Sequence, residues 1–180
     1  LDDPAVDAVV IATPLYLHRD MVVDALDAGK HVYCEKTLAY DIPQTLDIVR
    51  RVRAGDRVFY VGHQYRSYPL YHKIKEVIDN GYCGDIKHFI CHYNRNNDWR
   101  RAVPDPSLER IINWRMYREY SGGLMAELSS HQIDVINFLL DGHPIRITGI
   151  GGINRWDDGR DIFDHASLVF EYENGVTGFV

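Results

Sequence analysis

The stretch that decides the fold is Ala8-Val9-Val10-Ile11-Ala12, a continuous run rich in β-branched residues. Such a run is typical of a strand that is buried on both faces of a parallel sheet. A helix is predicted next, ending at Gly29, because apolar residues recur at helical spacing. These residues are Leu17, Met21, Ala25 and Ala28. His31-Val32-Tyr33-Cys34 then predicts a second short strand.

A second helix and a third strand follow. Asp41 is placed to cap the helix, Gln44 occupies the capping-box position, and Pro43 falls in the first turn. Gly55 is expected to end the helix, and Val58–Gly62 predicts the third strand. The helix residues predicted to be buried are Ile42, Leu46, Val49 and Val52. Two βαβ crossovers result, and these imply a parallel sheet covered by helices.

The pattern changes after Gln64 and becomes α+β with a mostly antiparallel sheet. The predicted elements are a helix over 69–80, a strand near 85–93, an irregular polar stretch over 94–120, a long helix over 123–140, and strands near 145–154 and 166–172. Glu173-Asn174-Gly175 predicts a hairpin turn before a last strand. The chain opens at Leu1 without Met and stops within an apolar run, so we expect both ends to be cuts through a longer chain.

Composition narrows the class of protein. The 180 residues carry 20 Lys+Arg against 26 Asp+Glu, a net charge of −6, which argues against a nucleic-acid partner. No apolar run approaches the roughly 20 residues that span a bilayer, so no membrane partner is expected. Three cysteines are too few and too scattered for a disulfide framework or a zinc cluster. We expect a soluble cytoplasmic protein, with a periplasmic location left open by the N-terminus.

Polar residues follow all three predicted parallel strands. They are Thr13-Pro14, Glu35-Lys36-Thr37 and His63-Gln64. Ligands bind beyond the carboxyl ends of parallel strands, so these residues could face one crevice, although strands also end in ordinary polar turns. Lys36 is the candidate for proton transfer, because partial desolvation lowers the pKa of a lysine toward the range that is useful for proton transfer. The alternative is a solvated surface lysine.

The long helix carries a second candidate cluster. Glu127 and His131 are four residues apart, so they share one helix face, and Gly123 lies in the same row. A carboxylate and an imidazole in so apolar a helix need hydrogen-bond partners or water. An ordinary helical side-chain pair is the alternative. No other residue falls at ligand spacing, so no metal site is predicted.

The irregular stretch is rich in amides, guanidinium groups and tryptophan. Asn94–Arg101 and Asn113-Trp114-Arg115 contain side chains that suit polyhydroxylated ligands, because sugar rings stack on Trp while Asn and Arg bond hydroxyls. A loop that contacts another domain would have the same composition.

Several ordered motifs resemble the Gfo/Idh/MocA family, which includes glucose–fructose oxidoreductase and inositol dehydrogenase. They are Asp7-Ala-Val-Val-Ile-Ala-Thr-Pro14, His18, Ala25-Leu-Asp-Ala-Gly-Lys-His-Val-Tyr-Cys-Glu-Lys36, Gly62-His-Gln-Tyr-Arg66, Gly81-Tyr-Cys-Gly-Asp-Ile86 and Ser121-Gly-Gly-Leu-Met-Ala-Glu-Leu-Ser-Ser-His131. The resemblance implies the C-terminal half of a Rossmann-like dinucleotide-binding domain over 1–65. A truncated substrate-binding and dimerisation domain with an open sheet would follow over 66–180.

The resemblance also implies an NAD(P)-dependent oxidoreductase acting on a sugar, polyol or related secondary alcohol. The implied catalytic residues are Lys36, Glu127 and His131, with His131 as the general acid/base. The implied cofactor-binding residues are Thr13, Pro14, His18, Glu35, Lys36 and Gln64, and the implied substrate-binding residues are Arg66, Trp114 and Arg115. A homo-oligomer formed through the second-domain sheet is also expected.

Three features qualify this expectation. Thr37 replaces the proline of the family's E-K-P motif, and Glu127 replaces its usual Asp. No G-x-G-x-x-G occurs, since Asn154 stands where the third glycine would be required after Gly149-Ile150-Gly151-Gly152. NAD or NADP binding is therefore expected to be incomplete in this chain. Two other functions stay open: an NAD-using glycoside hydrolase that acts through transient oxidation, and a non-catalytic sugar-binding or assembly protein.

Overall fold

Five α-helices and seven β-strands form in the computed structural model, which describes residues 1–180. The helices are α1 (His18–Asp27), α2 (Ile42–Ala54), α3 (Pro69–Asp79), α4 (Glu109–Ile112) and α5 (Ser130–Leu140). The strands are β1 (Ala8–Ile11), β2 (His31–Glu35), β3 (Phe59–Gly62), β4 (His88–Ile90), β5 (Pro144–Gly152), β6 (His165–Tyr172) and β7 (Thr177–Phe179).

The first sheet confirms the predicted βαβαβ arrangement. Its strand order is β1-β2-β3 and all pairs are parallel, with α1 and α2 as the crossovers. Alternate strand residues pack against both helices in one core. The buried members of this core are Ile11, Val22, Ala25, Val32, Cys34, Ala39 and Ile48.

The prediction that β1 is buried on both faces is wrong. Ile11 is buried, but its neighbour Val10 points to the other face and is 74% exposed. The core residues of α1 and α2 share one cluster with Ile11, and Val10 does not belong to this cluster. A β-branched run therefore marks strand propensity here, not double burial.

Helix α2 begins as predicted, but it buries a different row of side chains. The Asp41 carboxylate accepts a hydrogen bond from the Gln44 N–H at 2.8 Å, and Gly55 follows the last turn. Ile48 is fully buried, whereas Ile42 is 74% and Leu46 45% exposed, so the predicted burial of those two residues is wrong. The helix has two apolar rows, and tertiary packing selects the one through Ile48.

The second sheet has the strand order β4-β7-β6-β5. Pairs β5–β6 and β6–β7 are antiparallel and β4–β7 is parallel, which confirms a mostly antiparallel sheet. Helix α5 packs on it through Ile136, beside Leu168 and Phe170. Other residues of the sheet leave large apolar side chains exposed, including Ile147 and Ile150.

The chain divides into two compact units that are interleaved in sequence. Residues 1–62 and 101–122 form one, and residues 63–100 and 123–180 form the other. The part of the irregular stretch that begins at Arg101 therefore packs with the first sheet. Tyr40 Oη donates a hydrogen bond to the Arg118 carbonyl, and Tyr16 contacts the Tyr120 ring. The predicted domain ranges, 1–65 and 66–180, stay predictions.

The structure contains no helix that combines the length and the apolar character needed to cross a bilayer.

The loop between β5 and β6 is held by a buried carboxylate that sequence reasoning did not identify. Asp164 accepts hydrogen bonds from the backbone N–H groups of Asn154, Arg155 and Trp156 and faces His165 Nδ1 at 3.0 Å. Burial by itself raises the pKa of the Asp164 carboxyl, but the hydrogen bonds from His165 and these backbone groups outweigh it, so the net pKa is lowered.

Replacing Asp164 by Asn is expected to lower the free energy of unfolding at neutral pH by about 2–3 kcal/mol, because a charged acceptor of several hydrogen bonds is lost. The folded-state pKa lies below the unfolded value of about 3.9, so the charge stabilises the fold above that pH, and the contribution fades as the pH falls. Urea unfolding at several pH values tests this expectation, with the exposed Asp157→Asn as control. Equal midpoints for wild type and Asp164→Asn at neutral pH would contradict it.

Candidate active site

The strand ends of the first unit place several predicted residues at one edge of its sheet. Glu35 is the last residue of β2 and pairs with Gly62 of β3. Its carboxylate accepts a hydrogen bond from Tyr33 Oη at 3.2 Å. A Cβ at position 62 would lie 2.6 Å from Tyr33 Oη and 3.0 Å from Glu35 Oε1, so glycine is required for this arrangement. Lys36 follows directly and is partly exposed.

Thr13 and Pro14 follow β1 at the same edge. Pro14 precedes a short 3-10 turn (Leu15–Leu17), and the Thr13 hydroxyl donates to Met21 Sδ at 3.4 Å. The Lys36–Thr37 peptide bond is cis. The edge thus presents a hydroxyl, a carboxylate and an ammonium group, which suit the ribose hydroxyls and phosphate charge of a dinucleotide.

His18, which the resemblance assigns to the cofactor, has a buried ring. Its side chain is only 1% exposed. Nδ1 lies 2.9 Å from the Thr37 carbonyl oxygen and Nε2 lies 2.9 Å from the Thr13 carbonyl oxygen. Both ring nitrogens are therefore committed to the main chain. His18 joins the two loops that carry the other candidate residues of this edge.

The second unit carries Glu127 and His131 on a helix whose regular spacing is interrupted. Met125–Ser129 forms a π-helical turn immediately before α5. Ser130 Oγ donates to the Ala126 carbonyl at 2.6 Å, within this turn. Glu127 is 6% exposed, whereas His131 is partly exposed. Turns of this kind are frequent at functional sites, and a wider turn changes the face on which each side chain lies.

The surroundings of His131 include residues that sequence reasoning missed. The Tyr65 ring lies 5.4 Å from the His131 ring, between centroids. One turn further along the helix, the Asp134 carboxylate meets Arg66 at 2.8 Å and His63 Nδ1 at 3.8 Å. Asp134 follows His131 by three residues, and this spacing is the signal that could have found it.

The predicted substrate-binding residues have distinct local roles. Arg66 is bound to Asp134, and its guanidinium lies 5.5 Å from the Phe138 ring centroid, so it ties its segment to α5. Gln64, in the same 3-10 turn, is exposed. In the first unit, Trp114 is 7% exposed and is covered by Arg115, whose guanidinium carbon lies 4.2 Å from the ring centroid.

No group of three or more His, Cys, Asp or Glu side chains is arranged to hold a metal ion.

Comparison with known proteins identifies the protein family. Residues 1–63 match the oxidoreductase family with an NAD-binding Rossmann fold, and residues 71–180 match the GFO/IDH/MocA C-terminal domain. The chain therefore belongs to the GFO/IDH/MocA family, which confirms the resemblance and the fold class seen in the sequence.

Three similar proteins illustrate the range of the family. A 2,7-anhydro-N-acetylneuraminate hydratase of Mediterraneibacter gnavus is 32% identical over 165 residues, covering 92% of this chain and 41% of that protein. A levoglucosan dehydrogenase of Pseudarthrobacter phenanthrenivorans is 31% identical, covering 100% and 50%. The fold also matches an aldose-aldose oxidoreductase of Caulobacter crescentus with a TM-score of 0.84 at 22% identity, covering 99% and 50%. The chain spans about half the length of these relatives.

Proposed function

We propose that the protein is an NAD(P)-dependent oxidoreductase that transfers hydride between the nicotinamide and a secondary alcohol of a sugar, polyol or related carbohydrate. The observation that carries the proposal is the partly exposed His131, packed against Tyr65 beside a π-helical turn that buries Glu127. An imidazole held by an aromatic ring on a rigid helix is suited to general acid/base catalysis. Membership of an oxidoreductase family supports the same reaction class.

Residues at the edge of the first sheet would hold the cofactor. When bound, NAD(P) supplies the nicotinamide that accepts or donates the hydride. Glu35 offers a carboxylate to ribose hydroxyls, Lys36 offers positive charge, and Thr13 and Pro14 border the same edge. Gln64, whose exposed amide follows β3 in the sequence, is also assigned to cofactor binding.

Proton transfer is assigned to His131, Lys36 and Glu127. We assign the hydroxyl proton to His131, which takes it during oxidation and returns it during reduction. Lys36 would buffer or position that proton, and the buried Glu127 would orient the groups around it. Each role requires a group that stays hydrogen-bonded while the substrate changes charge.

Substrate binding is assigned to Arg115 and to Trp114, whose ring contacts the Arg115 guanidinium. The Arg115 guanidinium carbon lies 4.2 Å from the Trp114 ring centroid, and this cation–π contact supports a role of its N–H donors in recognising neighbouring hydroxyls. Arg66 would contribute to substrate binding indirectly, through Asp134, because its guanidinium is already bound to that carboxylate.

Two features extend the proposal to partners and location. The second sheet leaves Ile147, Ile150 and Phe179 exposed, which supports a homo-oligomer formed through this sheet. All three cysteines are free thiols, which supports a reducing compartment such as the cytoplasm.

A second candidate function is supported by the similarity to a hydratase. In the glycoside hydrolase alternative, bound NAD would supply a transient oxidation of the substrate and no net NADH would accumulate. A non-catalytic sugar-binding protein would bind carbohydrate without forming a product.

A substrate screen separates these functions. The intact protein is incubated with NAD or NADP and with panels of inositols, aldoses, anhydrosugars and nitrophenyl glycosides. We expect NADH or NADPH to accumulate with at least one free alcohol. Release of nitrophenol or a change in substrate hydration without net NADH would favour the second candidate. Binding without any product would favour the non-catalytic function.

A further inference from the structure

The face of the first sheet opposite its core carries two pairs of neighbouring residues near the carboxyl end of β2. The residues of β2 that alternate with Tyr33 and Glu35 belong to the core, so these two side chains lie on the other face. The strand register pairs Tyr33 with Tyr60 and Glu35 with Gly62 of β3. The Tyr33 and Tyr60 rings are stacked, with centroids 5.8 Å apart and an angle of 22° between the ring planes. This stacking holds the Tyr33 phenol beside the Glu35 carboxylate.

The Tyr33 hydroxyl binds that carboxylate directly. Tyr33 Oη donates a hydrogen bond to Glu35 Oε1 at 3.2 Å. Partial burial of the ring, followed by the negative charge of Glu35, raises the pKa of Tyr33, so the phenol keeps its proton and acts as a donor at neutral pH. A carboxylate has about four lone-pair sites, so one bond from Tyr33 leaves Glu35 able to accept from further hydroxyl groups.

Gly62 leaves the space that this pair of side chains occupies. A Cβ at position 62 would lie 2.6 Å from Tyr33 Oη and 3.0 Å from both Tyr33 Cζ and Glu35 Oε1. The first distance is too short for a Cβ contact, so any larger residue at this position must displace the phenol. Gly62 is not among the glycines with positive φ, so glycine is required here for steric reasons. Gly62→Ala therefore moves the pair without straining the backbone.

We propose that Tyr33 is a positioning residue that fixes the Glu35 carboxylate in the orientation that receives the ribose hydroxyls of the cofactor, in a space that Gly62 keeps open. Without the phenol, the Glu35 side chain gains rotational freedom at the end of β2, and cofactor binding has to order it. Holding a group in its bound conformation beforehand removes that cost. The effect on cofactor binding rests on the proposed function, whereas the hydrogen bond and the steric contact do not.

Binding of NADH and NADPH to the intact protein tests this role. Tyr33→Phe keeps the ring and its stacking on Tyr60 and removes only the hydroxyl. We expect the dissociation constant of the tighter-binding cofactor to rise about threefold to tenfold, the scale of ordering one side chain. Gly62→Ala should raise it by at least as much. Tyr82→Phe is the matched control, because it makes the same chemical change at a residue that is 81% exposed.

A double-mutant cycle separates positioning from a direct contact between Tyr33 and the cofactor. In Glu35→Ala no carboxylate remains to be oriented, so adding Tyr33→Phe should change the dissociation constant by less than about twofold. An effect of Tyr33→Phe that is equally large with and without Glu35 would overturn the proposal. Unchanged affinity in Tyr33→Phe would also overturn it. If Glu35→Ala binds the cofactor as tightly as wild type, Glu35 does not contact the cofactor and the proposal fails.

Nuclear magnetic resonance of the cofactor-free protein tests the pair itself. With ¹³Cζ-labelled tyrosine, Tyr33→Phe identifies the Tyr33 signal. We expect this signal to shift in Glu35→Ala and in Gly62→Ala, while the Tyr82 signal stays in place. A Tyr33 signal that is unchanged in both variants would overturn the proposal, even if wild type binds the cofactor. If the signal shifts as expected but wild type binds neither NADH nor NADPH, the proposed function is wrong and the positioning role fails with it.

Discussion

Replacing His131 by Asn is expected to reduce turnover by at least about two orders of magnitude, the usual scale for a lost general acid/base. Asparagine keeps part of the size and the hydrogen bonding of the side chain but has no group that gains or loses a proton near neutral pH. His131 is partly exposed and contacts the Tyr65 ring, so the melting temperature should change little. Steady-state kinetics and thermal unfolding of the same preparation measure both effects.

If His131→Asn instead lowers the melting temperature and leaves turnover near normal, the role of His131 is structural. A satisfied core histidine would cost roughly 1–3 kcal/mol of stability when replaced and would leave turnover near normal. The exposed His92→Asn provides the control, because it makes the same chemical change away from α5. Glu127→Gln, which removes charge and keeps shape, should alter the pH dependence of turnover if the two residues act together.

Replacing Lys36 by Ala should also lower turnover by about two orders of magnitude or more. Lys36 is partly exposed and follows the end of β2, so its loss should leave the first core intact. Lys36→Arg distinguishes charge from proton transfer, because a guanidinium keeps the charge but does not release a proton. We expect Lys36→Arg to be impaired in kcat as well.

The exposed Lys87 provides the matched control, since Lys87→Ala removes the same charge from the second unit. Circular dichroism and thermal unfolding establish that the Lys36 variants are folded. Normal kcat in a folded Lys36→Ala protein would place proton transfer elsewhere.

Local signals in the sequence were sufficient to predict the main elements. The apolar run at Ala8, the Asp41 cap and the Asn174-Gly175 turn each reflect short-range physics, namely strand propensity, helix capping and hairpin geometry. The structure contains the helix or strand that each of them predicts.

Features that depend on tertiary packing were not predictable in the same way. The exposure of Val10 and Ile42 depends on which faces the neighbouring elements cover. The π-helical turn at Met125–Ser129 leaves no periodicity signal, because one widened turn is short compared with the window that defines a helix. The Asp164 hydrogen bonds join residues up to ten positions apart in an irregular loop.

The candidate site shows the same division. The ordered motifs suggested Glu35, Lys36, Glu127 and His131 as site residues, but motifs do not show how deeply a side chain is buried. His18 illustrates the difference, because the resemblance assigned it to the cofactor and gave no sign that its ring lies between the carbonyl oxygens of Thr13 and Thr37. Asp134 and Tyr65 were missed because their roles arise from contacts across the fold of the second unit.

The central claim is net hydride transfer from a carbohydrate alcohol to a nicotinamide. It is tested most directly by following the hydrogen itself, with a substrate from the screen that carries deuterium on the carbinol carbon. We expect the deuterium to appear in accumulating NADH or NADPH, in one-to-one proportion with a keto product. Conversion of the substrate without deuterated NADH or NADPH in solution would contradict the account.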